Sequence, residues 1–189
     1  MLRAVEISKA YGENRVLSAF THDFPEGKTT AVMGASGCGK STLLGVLMGL
    51  IPPDSGRVER PADWRISALF QEDRLCENLT AGANLRLVAG GRLTRAETAQ
   101  RLCEVGLDGC ENKPVRELSG GMKRRVALLR ALLAEYDVLF LDEPFKGLDE
   151  GTKQQVMEYT KRMTEGRTVV FVTHDRAESS FLADEEIML

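Results

Sequence analysis

The chain has 189 residues, 43% hydrophobic and 28% charged, a globular make-up that excludes disordered and low-complexity scaffolds. At roughly 150 residues per domain this is a single domain, or one with an insertion, and a chain of this length needs no disulfide staple. With 25 basic and 28 acidic residues the formal net charge is −3, which argues against nucleic-acid binding as the main role.

The N-terminus, Met1-Leu-Arg-Ala-Val-Glu6, carries charges where a signal peptide needs an apolar core. The longest uncharged stretch, Ser41 to Pro53, is interrupted by Gly45, Gly49 and two prolines and falls short of the ~20 residues that span a bilayer. Cys38, Cys76, Cys103 and Cys110 show no CxxC spacing and no neighbouring His, which argues against a zinc site or disulfide framework and suits a reducing compartment. Asn78-Leu79-Thr80 matches a glycosylation pattern by chance.

In chain order, Arg3–Ile7 alternates apolar and polar residues as a half-buried strand does, and Val16–Phe24 is a second strand. Tyr11-Gly12-Glu13-Asn14 is the turn between them. Lys28–Met33 reads as a third strand, followed by a glycine-rich turn and an apolar helix from about Ser41 to Leu50. Pro52-Pro53-Asp54-Ser55-Gly56 breaks the pattern, and Ile66–Phe70 is a buried strand. From Glu72 to Val115 the β runs disappear. Thr94-Arg-Ala-Glu97 is a capping-box signature, and Ala99, Leu102, Cys103, Val105 and Leu107 give the apolar face behind it. A further helix runs from near Gly120 to about Glu135. Val138–Leu141 and Thr168–Val172 are continuous apolar runs suited to a parallel sheet, with a helix over Gly151–Thr164 between them. The alternation predicts an α/β fold. Its single domain, 1–189, divides into a core (1–71 and 136–189) and an inserted helical subdomain (72–135).

Gly34-Ala35-Ser36-Gly37-Cys38-Gly39-Lys40-Ser41 fits G-x-x-x-x-G-K-[ST], after a strand and before a helix. The glycines let backbone N–H groups turn inward on a β-phosphate. Lys40 adds charge for the β- and γ-phosphates, the helix N-terminus adds its partial positive charge, and Ser41, followed by Thr42, offers a hydroxyl to Mg²⁺. The spacing excludes a dinucleotide fingerprint. Val138-Leu-Phe-Leu-Asp142-Glu143 sets two carboxylates at the C-terminal tip of a strand, where open α/β sheets bind ligands. Asp142 is the candidate Mg²⁺ partner and Glu143 the candidate general base for the attacking water. The alternative is a pair of acids capping the turn at Pro144.

Leu118-Ser119-Gly120-Gly121-Met122 opens a helix with an N-cap and two glycines, either an ordinary cap or a second anion site. Two phosphate sites and one nucleotide per chain are reconciled if two copies pair head to tail. Taken in order, the phosphate loop, Gln71, Leu118–Met122, Asp142-Glu143, Leu148-Asp149 and His174 resemble the ATP-binding-cassette ATPase family over essentially the whole chain. The resemblance implies a P-loop NTPase core of parallel sheet and flanking helices, a small N-terminal antiparallel part, and ATP with Mg²⁺ as cofactors.

It also implies that Gln71 contacts Mg²⁺ and the water, that Ser119, Gly120 and Gly121 clamp the partner's ATP, and that Leu148-Asp149 communicates across the dimer. His174 would contact the γ-phosphate, and Tyr11 would stack on adenine. Asp149 alternatively caps the next helix, and Asp175-Arg-Ala-Glu178 reads as another capping box. Lys123-Arg124-Arg125 reads as a solvated helix face. The family's signature usually ends in Gln where Met122 stands, and the family normally continues beyond Leu189, so the chain reads as a minimal or truncated cassette.

The implied function is an ATPase subunit on the cytoplasmic face of the membrane that powers separate transmembrane permease chains and pairs with a second copy or a homologous cassette. No nucleic-acid partner is implied. Phe70-Gln-Glu-Asp-Arg-Leu75 and the Met-ended signature resemble importer ATPases for sulfonates or nitrate. A soluble cassette ATPase of DNA repair or chromosome maintenance, or a non-hydrolysing regulatory cassette, are the alternatives.

Overall fold

The computed structural model describes residues 1–189 and divides them into two compact units. The first comprises Met1–Ile66, Tyr136–Asp142 and Glu165–Leu189, and the second comprises Ser67–Glu135 and Glu143–Thr164.

The first unit opens with β1 (Leu2–Tyr11) and β2 (Asn14–Phe24), an antiparallel hairpin in register from Leu2↔Phe24 to Tyr11↔Asn14. Both strands are longer than their alternation predicts. Positive-φ residues at Glu6 and Ala19 break the register, and side-chain hydroxyls answer the displaced amides there: Glu6 N–H donates to Thr21 and Ala19 N–H to Ser8. The third strand of this sheet, β4 (Ser55–Glu59), pairs antiparallel with β1. Its first two residues, Ser55-Gly56, fall in the expected breaker, no apolar alternation marks Ser55–Glu59 as a strand, and pairing with β1 makes it one.

The other sheet is built on β3 (Thr29–Met33), β6 (Val138–Asp142) and β7 (Thr168–Val172), each buried at all five positions. Such apolar runs suit a sheet covered on both faces. With β5 (Ile66–Leu69) and β8 (Glu185–Met188) the order is β5-β6-β7-β3-β8, and β6, β7, β3 and β8 run parallel. Two helices belong to this unit, α1 (Lys40–Leu47) and α6 (Arg176–Leu182).

The second unit is helical: α2 (Ala81–Val88), α3 (Arg95–Cys103), a 3₁₀ turn at Val115–Glu117, α4 (Gly120–Leu133) and α5 (Glu150–Thr164). The capping box at α3 forms as the sequence predicts, with Glu97 N–H donating to Thr94 Oγ1 and Thr94 N–H donating to Glu97. Ser119 caps α4, accepting from Met122 N–H at 3.3 Å. No helix is long and apolar enough to cross a membrane.

Two expectations change. The run Lys123–Arg125 is no solvated face: Arg124 is only 5% exposed, and Arg125 Nη1 donates to the carbonyls of Val105 and Gly106 at 2.8 and 2.9 Å. Burial pushes the Arg125 pKa below its ordinary value. The box at α6 does not close. Asp175 caps Ala177 N–H, whereas Glu178 turns inward and accepts from the Thr173 hydroxyl, which itself accepts from Asp175 N–H. Lys40 is the first residue of α1 and is buried.

Candidate functional site

In the first unit three neighbouring strands, β6-β7-β3, deliver their carboxyl ends to one edge. Loop 34–39 leaves β3 there and enters α1. Asp142 ends β6 opposite Val172 of β7, and Thr173 and His174 follow directly. The phosphate loop, the acidic strand tip and the histidine therefore emerge side by side, at the place where parallel sheets bind ligands.

The loop is shaped by its glycines. Gly37 has φ +81 and Gly39 φ +107, and Gly39 packs so closely on β2 that a Cβ there would lie 2.7 Å from the Val16 carbonyl oxygen. That contact also places the loop beside the hairpin whose tip carries Tyr11: Val16 is two residues past Asn14, the partner of Tyr11. Tyr11 is exposed, with the Lys9 ammonium 5.8 Å from its ring centroid.

Lys40 is 6% exposed, and its ammonium donates to the carbonyls of Gly34 and Ala35 at 2.9 and 2.8 Å. The Cys38 sulfur lies 3.9 Å from the same ammonium, and a buried cation contacted by two neutral carbonyls and a sulfur attracts an anion at the mouth of the loop. Ala35, Ser36, Gly37 and Ser41 are exposed around it, Cys38 and Thr42 partly so, and α1 turns its N-terminus toward the same loop.

No cluster of three or more His, Cys, Asp or Glu side chains forms a metal cage. In the first unit Ser41 and Asp142 offer oxygen donors. That chemistry fits Mg²⁺, which is ordinarily held by one or two protein oxygens together with phosphate oxygens.

The second unit carries the remaining candidates. Glu143 follows Asp142 in the chain, adopts φ +47, and pairs with Lys146 at 3.1 Å. Gln71 follows β5 and is exposed. Ser119 and Gly120 are exposed at the start of α4, and a Cβ on Gly121 would lie 3.4 Å from the Gly147 carbonyl. The glycine pair and the segment leading to Leu148-Asp149 are thereby in contact. Asp149 caps α5, accepting from Thr152 N–H at 3.1 Å, and that backbone bond holds its carboxyl below the usual carboxylate range. Met122 follows Gly121 directly and offers no hydrogen-bond donor on its side chain. Arg124 escapes sequence reasoning. A basic run on a helix carries no sign that one of its members turns inward toward a loop more than fifty positions earlier.

The profile of a family described as "ABC transporter" matches residues 17–146. The chain is 40% identical over 185 residues to an aliphatic sulfonates import ATP-binding protein, SsuB 3 of Paraburkholderia xenovorans strain LB400, covering 97% of this chain and 74% of that protein. It is 37% identical over 180 residues to a thiamine import ATP-binding protein, ThiQ of Jannaschia sp. strain CCS1, covering 87% and 79%. Among solved structures, a dimer of the bacterial ABC transporter cassette MJ0796 superposes with a TM-score of 0.86 at 30% identity, covering 100% of this chain and 94% of that one. A post-hydrolysis dimer of the same cassette bound to ADP and Pi gives 0.85, also at 30% identity, with the same coverage.

Proposed function

Since the chain belongs to the ABC transporter family, we propose that it is the ATP-hydrolysing subunit of a solute importer, working at the cytoplasmic face of the membrane with separate permease chains and a second cassette. The observation that carries this reading is the Lys40 ammonium, buried under its own loop carbonyls at the edge where Asp142 and His174 also emerge. The first listed relatives are named for aliphatic sulfonates, which makes a small sulfonate the favoured solute.

Residues 34–42 hold the β- and γ-phosphates of ATP through backbone N–H groups and Lys40, and Tyr11 offers its exposed ring to the adenine. Ser41, Asp142 and Gln71 would hold Mg²⁺, which when bound neutralises charge on the phosphate oxygens. Glu143 accepts the proton of the attacking water, and His174 donates to the γ-phosphate. Ser119, Gly120 and Gly121 face the nucleotide of the second cassette, so each ATP is clamped by two chains and its cleavage loosens them.

Co-purification from mildly solubilised membranes, followed by sulfonate uptake into vesicles of the recovered complex, tests the assignment. ATP turnover stimulated by a sulfonate and its binding protein is the expected result. A complex that couples to thiamine instead would reassign the solute, and turnover stimulated by DNA with no permease recovered would overturn the transport reading.

A further inference from the structure

Arg124 lies on the first turns of α4, five residues beyond Ser119, in a setting where a guanidinium is rarely found. Its Nη1 donates to the Phe70 carbonyl at 2.6 Å, to the Gln71 carbonyl at 3.4 Å and to the Asp73 carboxylate at 3.0 Å. Its Nη2 donates to the Glu143 carbonyl at 2.8 Å. One planar group thus spans the main chain at the two residues whose side chains handle the attacking water.

Neither segment is in a relaxed backbone conformation without help. Glu143 sits at φ +47 and Arg74 at φ +46, sparsely populated values for side-chain-bearing residues that persist only where surrounding contacts impose them. Around Arg74 those contacts are visible. Arg130, on the same helix, donates to the carbonyls of Arg74 and Asp73 at 2.9 and 3.1 Å, and the Arg74 guanidinium stacks 3.9 Å from the Phe70 ring centroid. At Glu143 it is Arg124 that grips the carbonyl.

We propose that Arg124 is a positioning residue for ATP hydrolysis, fixing the backbone of Gln71 and of Glu143 with a single guanidinium so that their side chains meet the water in one arrangement. The proposal rests on the roles given above to Gln71 and Glu143. It requires arginine, not merely a cation. The fork presents two nitrogens in a rigid plane, whereas a lysine ammonium is one point on a flexible stem and reaches one of the two segments.

Arg124→Lys and Arg124→Met, each in the full chain, test this together with wild type. The expected result is a kcat lowered about 10- to 100-fold in both variants, with KM for ATP within about threefold of wild type. Amide exchange should be faster in peptides covering 70–74 and 143–147 and unchanged in peptides covering 34–42. A kcat restored to within twofold by lysine, or a KM that rises as much as kcat falls, overturns the positioning role. If wild type hydrolyses no ATP, the failure belongs to the ATPase reading. The exchange comparison then decides on its own, and unchanged exchange at both segments overturns the clamp. Should the methionine variant fold poorly, the lysine variant keeps the helix and its charge and carries the same readouts.

Discussion

Gly39→Ala probes whether the loop is pinned to the hairpin. The residue N-caps α1 at φ +107, and a Cβ there would lie 2.7 Å from the Val16 carbonyl oxygen and 3.3 Å from Val16 Cβ. Both atoms belong to the body of β2, so no side-chain rotation relieves the contact. Gly37→Ala is the matched control, because Gly37 is also left-handed at φ +81 but has nothing within 4 Å of a Cβ. The control carries the backbone term alone, about 1–2 kcal/mol. Gly39→Ala adds overpacking of about 1–3 kcal/mol, for a total of about 2–5 kcal/mol. In a chain of this size each kcal/mol moves the midpoint by about 2–4 °C, so Gly39→Ala should melt about 2–12 °C below Gly37→Ala. Calorimetry of wild type and both variants reads the gap. ATP turnover in parallel should fall at least about tenfold for Gly39→Ala, since the amide that follows is displaced. Equal melting of the two variants, with turnover intact in Gly39→Ala, would refute the close packing of loop on strand.

Lys40→Ala should lower turnover at least about 100-fold while far-ultraviolet circular dichroism stays native, because the ammonium serves the phosphates and two local carbonyls rather than the core. A folded variant with normal turnover would remove the loop from the nucleotide site. Glu143→Gln should keep ATP bound and uncleaved. Light scattering after size exclusion should then report a dimer with ATP and a monomer with ADP, and a monomer with both would count against shared sites. Tyr159 is buried, and that burial pushes its pKa up to about 12 from the ordinary 10. A raised folded-state value contributes stability that is complete below pH 10 and is lost as pH rises toward 12. Chemical denaturation across that window should show a smaller alkaline decline for Tyr159→Phe than for wild type.

The phosphate loop and the acidic strand tip are legible in the sequence because their chemistry fixes both residue type and spacing. The strands that carry them are legible because burial on both faces demands unbroken apolar runs such as Val138–Leu141. The caps at Thr94 and Ser119 are local, and local signals survive folding. What escapes is determined at a distance. β4 has a strand's pairing without a strand's alternation, since β1 supplies its hydrogen bonds. α2 opens with Ala81-Gly82-Ala83-Asn84, a weak helical start, but Asn84 turns its amide back on the carbonyls of Cys76 and Thr80 and accepts from Cys76 N–H, making it part of the fold. Glu178 sits at the right spacing for a capping box, yet the Thr173 hydroxyl captures it first. Arg124 is the strongest case. Besides the Asp73 carboxylate it binds main-chain carbonyls of two distant segments, and backbone carbonyls leave no trace in residue identity.

The left-handed backbone of Glu143 sets its chemistry against its folding. Glycine at that position would adopt φ +47 without strain, and a left-handed conformation costs a side-chain-bearing residue about 1–2 kcal/mol. A library screened for heat resistance alone is therefore expected to enrich glycine at position 143 and to discard the carboxylate proposed to take the proton of the attacking water. Only a screen that also demands transport would retain the glutamate.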